Sequence, residues 1–138
     1  MPISRKKKQL NGADFNVEQM IDIAPILIIL ASFAKGESNF NGVDRLKIKE
    51  SDRLSAIIDM VDAIGAKASY KDGVLTVIGN PYALGGTVDA KNDHRLIMSA
   101  VVAGAYTGGV TILNANGVEK SYSRFFDDFT KLGGIYNV

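Results

Sequence analysis

The chain has 138 residues, no cysteine, one histidine and a formal net charge of +1. That length suits one domain or part of a larger one, and hydrophobic residues at 46% with charged residues at 22% describe a soluble chain with a packed core. The composition excludes disulfides, thiolate nucleophiles and cysteine metal sites, and the near-neutral charge gives no general case for nucleic-acid or membrane binding.

Taken in chain order, the basic run Arg5–Lys8 reads as a solvated terminus, and residues 1–12 read as a tail without the apolar stretch of a secretory signal. Residues 13–17 (ADFNV) suggest a short strand. Helical patterning runs from Asp22 to Lys35, with Pro25 in the first turn and Gly36 as the stop. Its apolar core, Ile23 to Ala34, is about 12 residues long and too short to cross a bilayer. SNFNGV (38–43) reads as a strand and turn. A second helix starts near Asp52, where Leu54, Ile57, Ile58, Val61 and Ile64 share one face and Gly65 supplies the C-cap. Residues 67–79 (KASYKDGVLTVIG) spell a hairpin around Asp72-Gly73. TVDA (87–90), a helix over 93–106, VTILN (110–114) and a last helix over 121–133 follow, and IYNV (135–138) is expected to begin another strand.

This order repeats with a period of about 70 residues, as two α/β (α+β) units, about 13–79 in the order β-α-β-α-β-β and about 86–138 in the order β-α-β-α with a final strand begun. Helix 22–35 matches 93–106, and helix 52–64 matches 121–133.

Three clusters break the ordinary helix-start pattern: KESDR (49–53), NDHR (92–95) and the segment around Lys120 in GVEKSYSRFF (117–126). Ser51, Asp52, Asn92, Asp93 and Ser121 are good N-cap types, and each is accounted for by capping alone. Lys49, Arg53, Arg95 and Lys120 are not, because cations are disfavoured at a helix N-terminus. A shared anion resolves the conflict: arginine forks a carboxylate or phosphate, and lysine acts as a point charge. Glu50 lies among these cations as a candidate general acid. Asp22 is a candidate general base or a cap, and His94 gains interest from its neighbours Asp93 and Arg95. Phosphate-loop, dinucleotide and zinc-protease motifs are absent, and one histidine without cysteine gives no zinc site. From the residues alone the reading stops at an anion site where helix N-termini converge.

KESDRL, then NDHR about 40 residues on, then a lysine before an apolar FF helix, together with IDIAPILIILASFAKG upstream, resemble the EPSP synthase (3-phosphoshikimate 1-carboxyvinyltransferase) family. The resemblance runs from about Asp14 to Gly134. The family's chains are much longer, so it implies a C-terminal piece, with two of the three βαβαββ units of one enolpyruvyl transferase domain facing an interdomain cleft. It implies transfer of the enolpyruvyl group of phosphoenolpyruvate to the 5-hydroxyl of shikimate 3-phosphate with release of phosphate. No metal or organic cofactor takes part, the setting is cytoplasmic, and glyphosate competes at the phosphoenolpyruvate site.

By resemblance Asp22, Lys49 and Glu50 are catalytic: Asp22 as base at the 5-hydroxyl, Glu50 as acid towards the methylene, Lys49 assisting proton transfer. Arg53, Arg95 and Lys120 hold phosphoenolpyruvate. Asp22, Lys49 and Arg45 face shikimate 3-phosphate, and His94 and Asp93 support the wall. The sequence departs from the family at Arg45, where a smaller polar residue is common, and at Ile21-Asp22, where the family has Pro-Asp. The implied partners are the two small-molecule substrates, with neither nucleic acid nor membrane. The piece is expected to be inactive alone and to self-associate through uncovered apolar surface. The alternatives are a piece of the enzyme that uses UDP-N-acetylglucosamine as acceptor, and a non-catalytic anion-binding module.

Overall fold

The structure, a computed structural model, describes residues 8–138; the basic run from Arg5 lies outside them except for Lys8. The strands are β1 (Asp14–Asn16), β2 (Glu37–Asn41), β3 (Lys67–Lys71), β4 (Val74–Ile78), β5 (Thr87–Asp89) and β6 (Thr111–Leu113). The helices are α1 (Ala24–Ala31), α2 (Arg53–Ile64), α3 (His94–Thr107) and α4 (Phe125–Lys131). Short 3-10 segments at Glu18–Ile23, Asp44–Ile48 and Val118–Lys120 lead into the clusters singled out above.

The first part of the chain follows the order β1-α1-β2-α2-β3-β4, and its strands form one sheet in the order β1-β2-β4-β3. β1 pairs parallel to β2, as a strand-helix-strand crossover requires, and the other pairs are antiparallel. One face is buried: Ser38 and Phe40 on β2 and Leu75 and Val77 on β4 point inwards, with exposed or half-buried residues between them. The hairpin turns on Asp72 and Gly73, both at positive φ (52° and 81°), as a primed two-residue turn demands. β5 and β6 repeat the parallel crossover around α3.

The helices meet inside. α1 is apolar almost all round and buries Ala24, Pro25, Ile28, Ile29 and Ala31, packing against α3. Phe33 stacks on Tyr106 with centroids 4.1 Å apart. α2 buries Leu54, Ala56, Ile57, Met60, Val61 and Ile64 between the first sheet and β5. The α/β architecture and the repeated crossover therefore match the expectation, and one core joins both halves.

Three elements differ. The helix expected over 22–35 is the shorter α1. The backbone before it is kinked at Met20 (φ −137°, ψ 44°), and beyond it the Lys35 amide donates to the Leu10 carbonyl instead of continuing the helix. Asp22 therefore caps nothing; the N-cap position is Ile23. The last helix starts at Phe125, because the Ser121 hydroxyl is engaged elsewhere and does not cap it. Residues 135–138 form no strand: the Tyr136 ring packs against Phe126 in a tilted pair with centroids 4.7 Å apart, which draws the tail onto α4.

A Cβ at Gly79 would lie 2.0 Å from the Ala34 carbonyl oxygen, whereas one at Gly36 meets nothing within 4 Å. Gly79→Ala is expected to destabilise the chain by about 1–3 kcal/mol through this overlap. Gly36→Ala (φ 93°) is expected to cost about 1–2 kcal/mol of backbone strain without a clash. Urea unfolding with β2–β4 amide-exchange rates separates the two, since only the Gly79 change pushes the sheet from α1.

Candidate active site

Asp93 is the anchor. Its side chain caps α3 by accepting from the Arg95 amide at 3.0 Å, so the NDHR segment must place a carboxylate at this point. The backbone takes an unusual route there. Lys91 and Asn92 both sit in the left-handed region (φ 53° and 54°), which costs of order 1–3 kcal/mol each for residues other than glycine. Four hydrogen bonds hold that turn: the Asp93 amide to the Ala90 carbonyl (2.8 Å), the Lys91 amide to Asp89 Oδ1 (2.9 Å), the Asn92 amide to the Asn114 carbonyl (2.8 Å) and the Asn116 amide to Asn92 Oδ1 (3.1 Å). Asp89 also accepts from the Asn114 and Lys91 side chains, and these bonds pull its carboxyl down to about 2.

Arg53, the first residue of α2, is 1% exposed and forks Asp93: Nε donates to Oδ2 at 2.7 Å and Nη2 to Oδ1 at 3.1 Å. Nη2 also donates to Glu50 Oε2 at 2.5 Å, and Nη1 donates to Asp22 Oδ1 at 3.2 Å. Ser51 donates to Asp93 Oδ2 at 2.8 Å. The cation at this helix start thus has its anions within the chain. Asp52 caps α2 itself, accepting from the Ser55 amide at 3.1 Å. One guanidinium joins KESDR, NDHR and the segment before α1. Among the described residues, four of its five N–H donors are taken by carboxylates, and one Nη1 hydrogen remains.

The remaining cations are placed differently. Lys49 Nζ lies 3.2 Å from Asp22 Oδ1. Asp22, Arg45, Lys49 and Arg95 line an open cleft of about 420 Å3, together with Gln19, Met20, Ile21 and Ile23. Among the described residues, Arg45 and Arg95 have no ion-pair partner within 4.0 Å. Lys120 is exposed in its 3-10 segment, packed beside α3, and does not line the cleft. His94 is buried, with Nδ1 on the Ser121 hydroxyl and Nε2 3.5 Å from Arg53 Nη2 and 3.7 Å from Glu50 Oε1. Glu50, Asp93 and His94 turn ligand-type atoms within 4.8 Å of one another, but the cation already among them is Arg53.

The electrostatics follow. The Lys49 hydrogen bond, opposed by slight burial and aided by the charges of Lys49, Arg53 and Arg95, holds the Asp22 carboxyl below its usual range. A backbone hydrogen bond, and then Arg53, do the same for Glu50. Burial pushes Asp93 up, but the hydrogen bonds from Arg53 and Ser51 outweigh it. Burial also works against the Arg53 charge, and Asp93 more than restores it. Asp22, which lines the cleft, and Glu50, which stands beside it, are both held in the ionised form near neutrality.

Comparison with known proteins bears on this arrangement. The family model for EPSP synthase (3-phosphoshikimate 1-carboxyvinyltransferase) matches residues 2–129. The chain belongs to the EPSP synthase family. It is 37% identical over 134 residues to the 3-phosphoshikimate 1-carboxyvinyltransferase of Clostridium novyi, a match covering 96% of this chain and 31% of that protein. It is 43% identical over 118 residues to that of Carboxydothermus hydrogenoformans, covering 84% of this chain and 27% of the relative. A solved EPSP synthase from Acinetobacter baumannii superposes with a TM-score of 0.80 at 28% identity, over 89% of this chain and 30% of the other. The chain thus spans about a third of the length of the EPSP synthases it matches.

The sequence singled out Asp22, Arg45, Lys49, Glu50, Arg53, Asp93, His94, Arg95 and Lys120, but not Asp89 or Lys91. It missed that Arg53 is buried, that Ser51 and Ser121 are partners of Asp93 and His94, and that Lys91 and Asn92 are left-handed. Only the Asn-rich spacing around Asp89 hinted at the last.

Removing Arg53 strands the buried Asp93, so Arg53→Ala is expected to cost about 3–5 kcal/mol in urea unfolding. Asp22, Glu50 and Asp93 all have lowered folded pKa values, so their contribution is complete above the ordinary carboxylate range, about pH 4, and is lost as pH falls below it. Unfolding curves from pH 7 to 2 should show that loss, and Asp93→Asn should flatten it.

Proposed function

We propose that this chain forms one wall of an EPSP synthase active site, serving transfer of the enolpyruvyl group of phosphoenolpyruvate to the 5-hydroxyl of shikimate 3-phosphate with release of phosphate. The observation that carries the reading is the convergence of Asp22, Arg45, Lys49 and Arg95 on one cleft beside Glu50, in a chain of this family. Both substrates are phosphorylated anions, and the cleft offers a lysine on a single aspartate and two arginines that have no ion-pair partner within 4.0 Å among the described residues.

In this reading Arg95 forks the phosphoenolpyruvate carboxylate, and Arg53 adds its charge and its remaining Nη1 hydrogen from below. Lys120 takes the phosphate side, approaching over the edge of α3. Asp22, ionised, accepts the 5-hydroxyl proton, and Lys49 holds Asp22 in place and meets shikimate 3-phosphate with Arg45. Glu50 stands ready to exchange a proton with the methylene carbon. Negative charge arriving in the cleft raises its pKa, which offsets the lowering by Arg53. His94 and Asp93 fix the wall from behind.

No helix among the described residues is long and apolar enough to cross a membrane, and a cytoplasmic setting goes with the reading. The 138 residues alone are expected to release no phosphate, because one wall cannot enclose two anionic substrates. Leu84, Leu132 and Ile135, all more than four-fifths exposed, are expected to promote self-association, which sedimentation at rising concentration checks.

The decisive assay is phosphate release from phosphoenolpyruvate by a full-length protein carrying this chain, with shikimate 3-phosphate or UDP-N-acetylglucosamine as acceptor. Release with shikimate 3-phosphate alone is expected. Arg95→Ala should raise KM for phosphoenolpyruvate about 10- to 100-fold, the worth of a charge-assisted bond. Release only with the sugar nucleotide, or with neither acceptor, would overturn the assignment.

A further inference from the structure

The 3-10 segment Asp44–Ile48 carries Arg45 to the cleft, yet among the described residues no backbone hydrogen bond ties it to a neighbouring element. The Leu46 amide donates to the Val43 carbonyl at 2.9 Å, within the turn itself. Side chains therefore hold the segment in place. A 3-10 helix has three residues per turn, so its side chains form three ridges. Leu46 is fully buried and enters the core. Asp44 and Lys47 share a second ridge, and Arg45 lies on the third, towards the cleft. One buried side chain leaves the segment free to roll about it, and a second anchor off that axis removes the freedom.

That second anchor stands on the hairpin. Tyr70 of β3 pairs opposite Leu75 of β4, which is fully buried, so the sheet fixes the base of the ring. The Tyr70 hydroxyl donates to Asp44 Oδ1 and accepts from Lys47 Nζ at 3.3 Å. The same ammonium lies 4.5 Å from the ring centroid and 3.6 Å from Asp44 Oδ1. An exposed lysine-aspartate pair three residues apart contributes little by itself. Here both partners meet one phenol on a strand, and the hydroxyl both donates and accepts. The Tyr70 hydrogen bond, opposed by slight desolvation and aided by the Lys47 charge, holds the Asp44 carboxyl below its usual range, so the acceptor is ionised at neutral pH.

We propose that Tyr70 is a positioning residue: it holds Asp44 and Lys47, fixes the rotation of the Asp44–Ile48 segment, and thereby aims Arg45 into the cleft. Its effect on turnover rests on the proposed contact between Arg45 and shikimate 3-phosphate. Tyr70 does not line the cleft, so its hydroxyl acts there only through the segment.

Tyr70→Phe keeps the ring beneath Lys47 and removes the hydroxyl. In the 138-residue chain it should speed exchange of the Leu46 amide about 3- to 10-fold, the worth of one hydrogen bond, and leave the β3–β4 amides unchanged. In a full-length protein carrying this chain it should raise KM for shikimate 3-phosphate about 3- to 10-fold, with kcat and KM for phosphoenolpyruvate unchanged. In an Arg45→Ala background the same change should have no further effect on KM, because the two residues act through one contact. Asp44→Ala, at an exposed position, should reproduce these shifts and decides the matter if Tyr70→Phe disturbs the hairpin itself. Unchanged Leu46 exchange would overturn the proposal. So would an unchanged KM for shikimate 3-phosphate in the active enzyme, or an equal rise with and without Arg45. If exchange quickens but shikimate 3-phosphate supports no phosphate release, the enzymatic reading fails and the hold of Tyr70 on the segment stands.

Discussion

A single guanidinium, buried and forked on a buried carboxylate, ties this structure together. Arg53 starts α2 and Asp93 caps α3, so their pairing fixes the two helix N-termini relative to each other. Such a pair gains little over a well-packed apolar contact, since both charges have lost their water. Its value is geometric: the fork admits one orientation, and Glu50, Asp22 and Ser51 are placed around it. Two strained residues, Lys91 and Asn92, bring Asp93 to that position, and their cost is borne by the bonded turn between β5 and the segment after β6.

The consequence for the cleft is a division of labour among like charges. Lys49, Arg53 and Arg95 stand near helix starts, where the backbone disfavours them, and Arg45 joins Lys49 and Arg95 at the cleft. Arg53 is neutralised from within, Lys49 is paired with Asp22, and Arg45 and Arg95 face the opening without an ion-pair partner among the described residues. Two carboxylates share this wall, Asp22 held ionised chiefly by Lys49 and Glu50 by a backbone hydrogen bond and Arg53. The charge arrangement leaves uncompensated cations at the opening and ionised carboxylates behind and beside them.

Much of the fold was legible in the sequence because it is local. The alternation in β2 and β4, the 3, 4, 7 spacing of α2, and Asp72-Gly73, Gly65 and Gly108 at positive φ all report preferences within a few residues. The departures arise where a distant partner outcompetes a local preference. Lys35 leaves its helix for Leu10, Ser121 leaves its cap for His94, and Tyr136 leaves strand geometry for Phe126. The KESDR and NDHR clusters were visible as charge out of place, and the same residues carried the resemblance to the EPSP synthase family.

The sequence by itself determined which residues are available for chemistry, in which order, and on which helix starts, since capping chemistry and apolar periodicity act along the chain. It also determined the family, through motifs whose order and spacing survive without coordinates. Only the tertiary structure decided which cation is consumed internally and which faces solvent. That depends on how α2 and α3 meet across the core, 40 residues apart in the chain, and on the desolvation that the meeting imposes on Arg53 and Asp93.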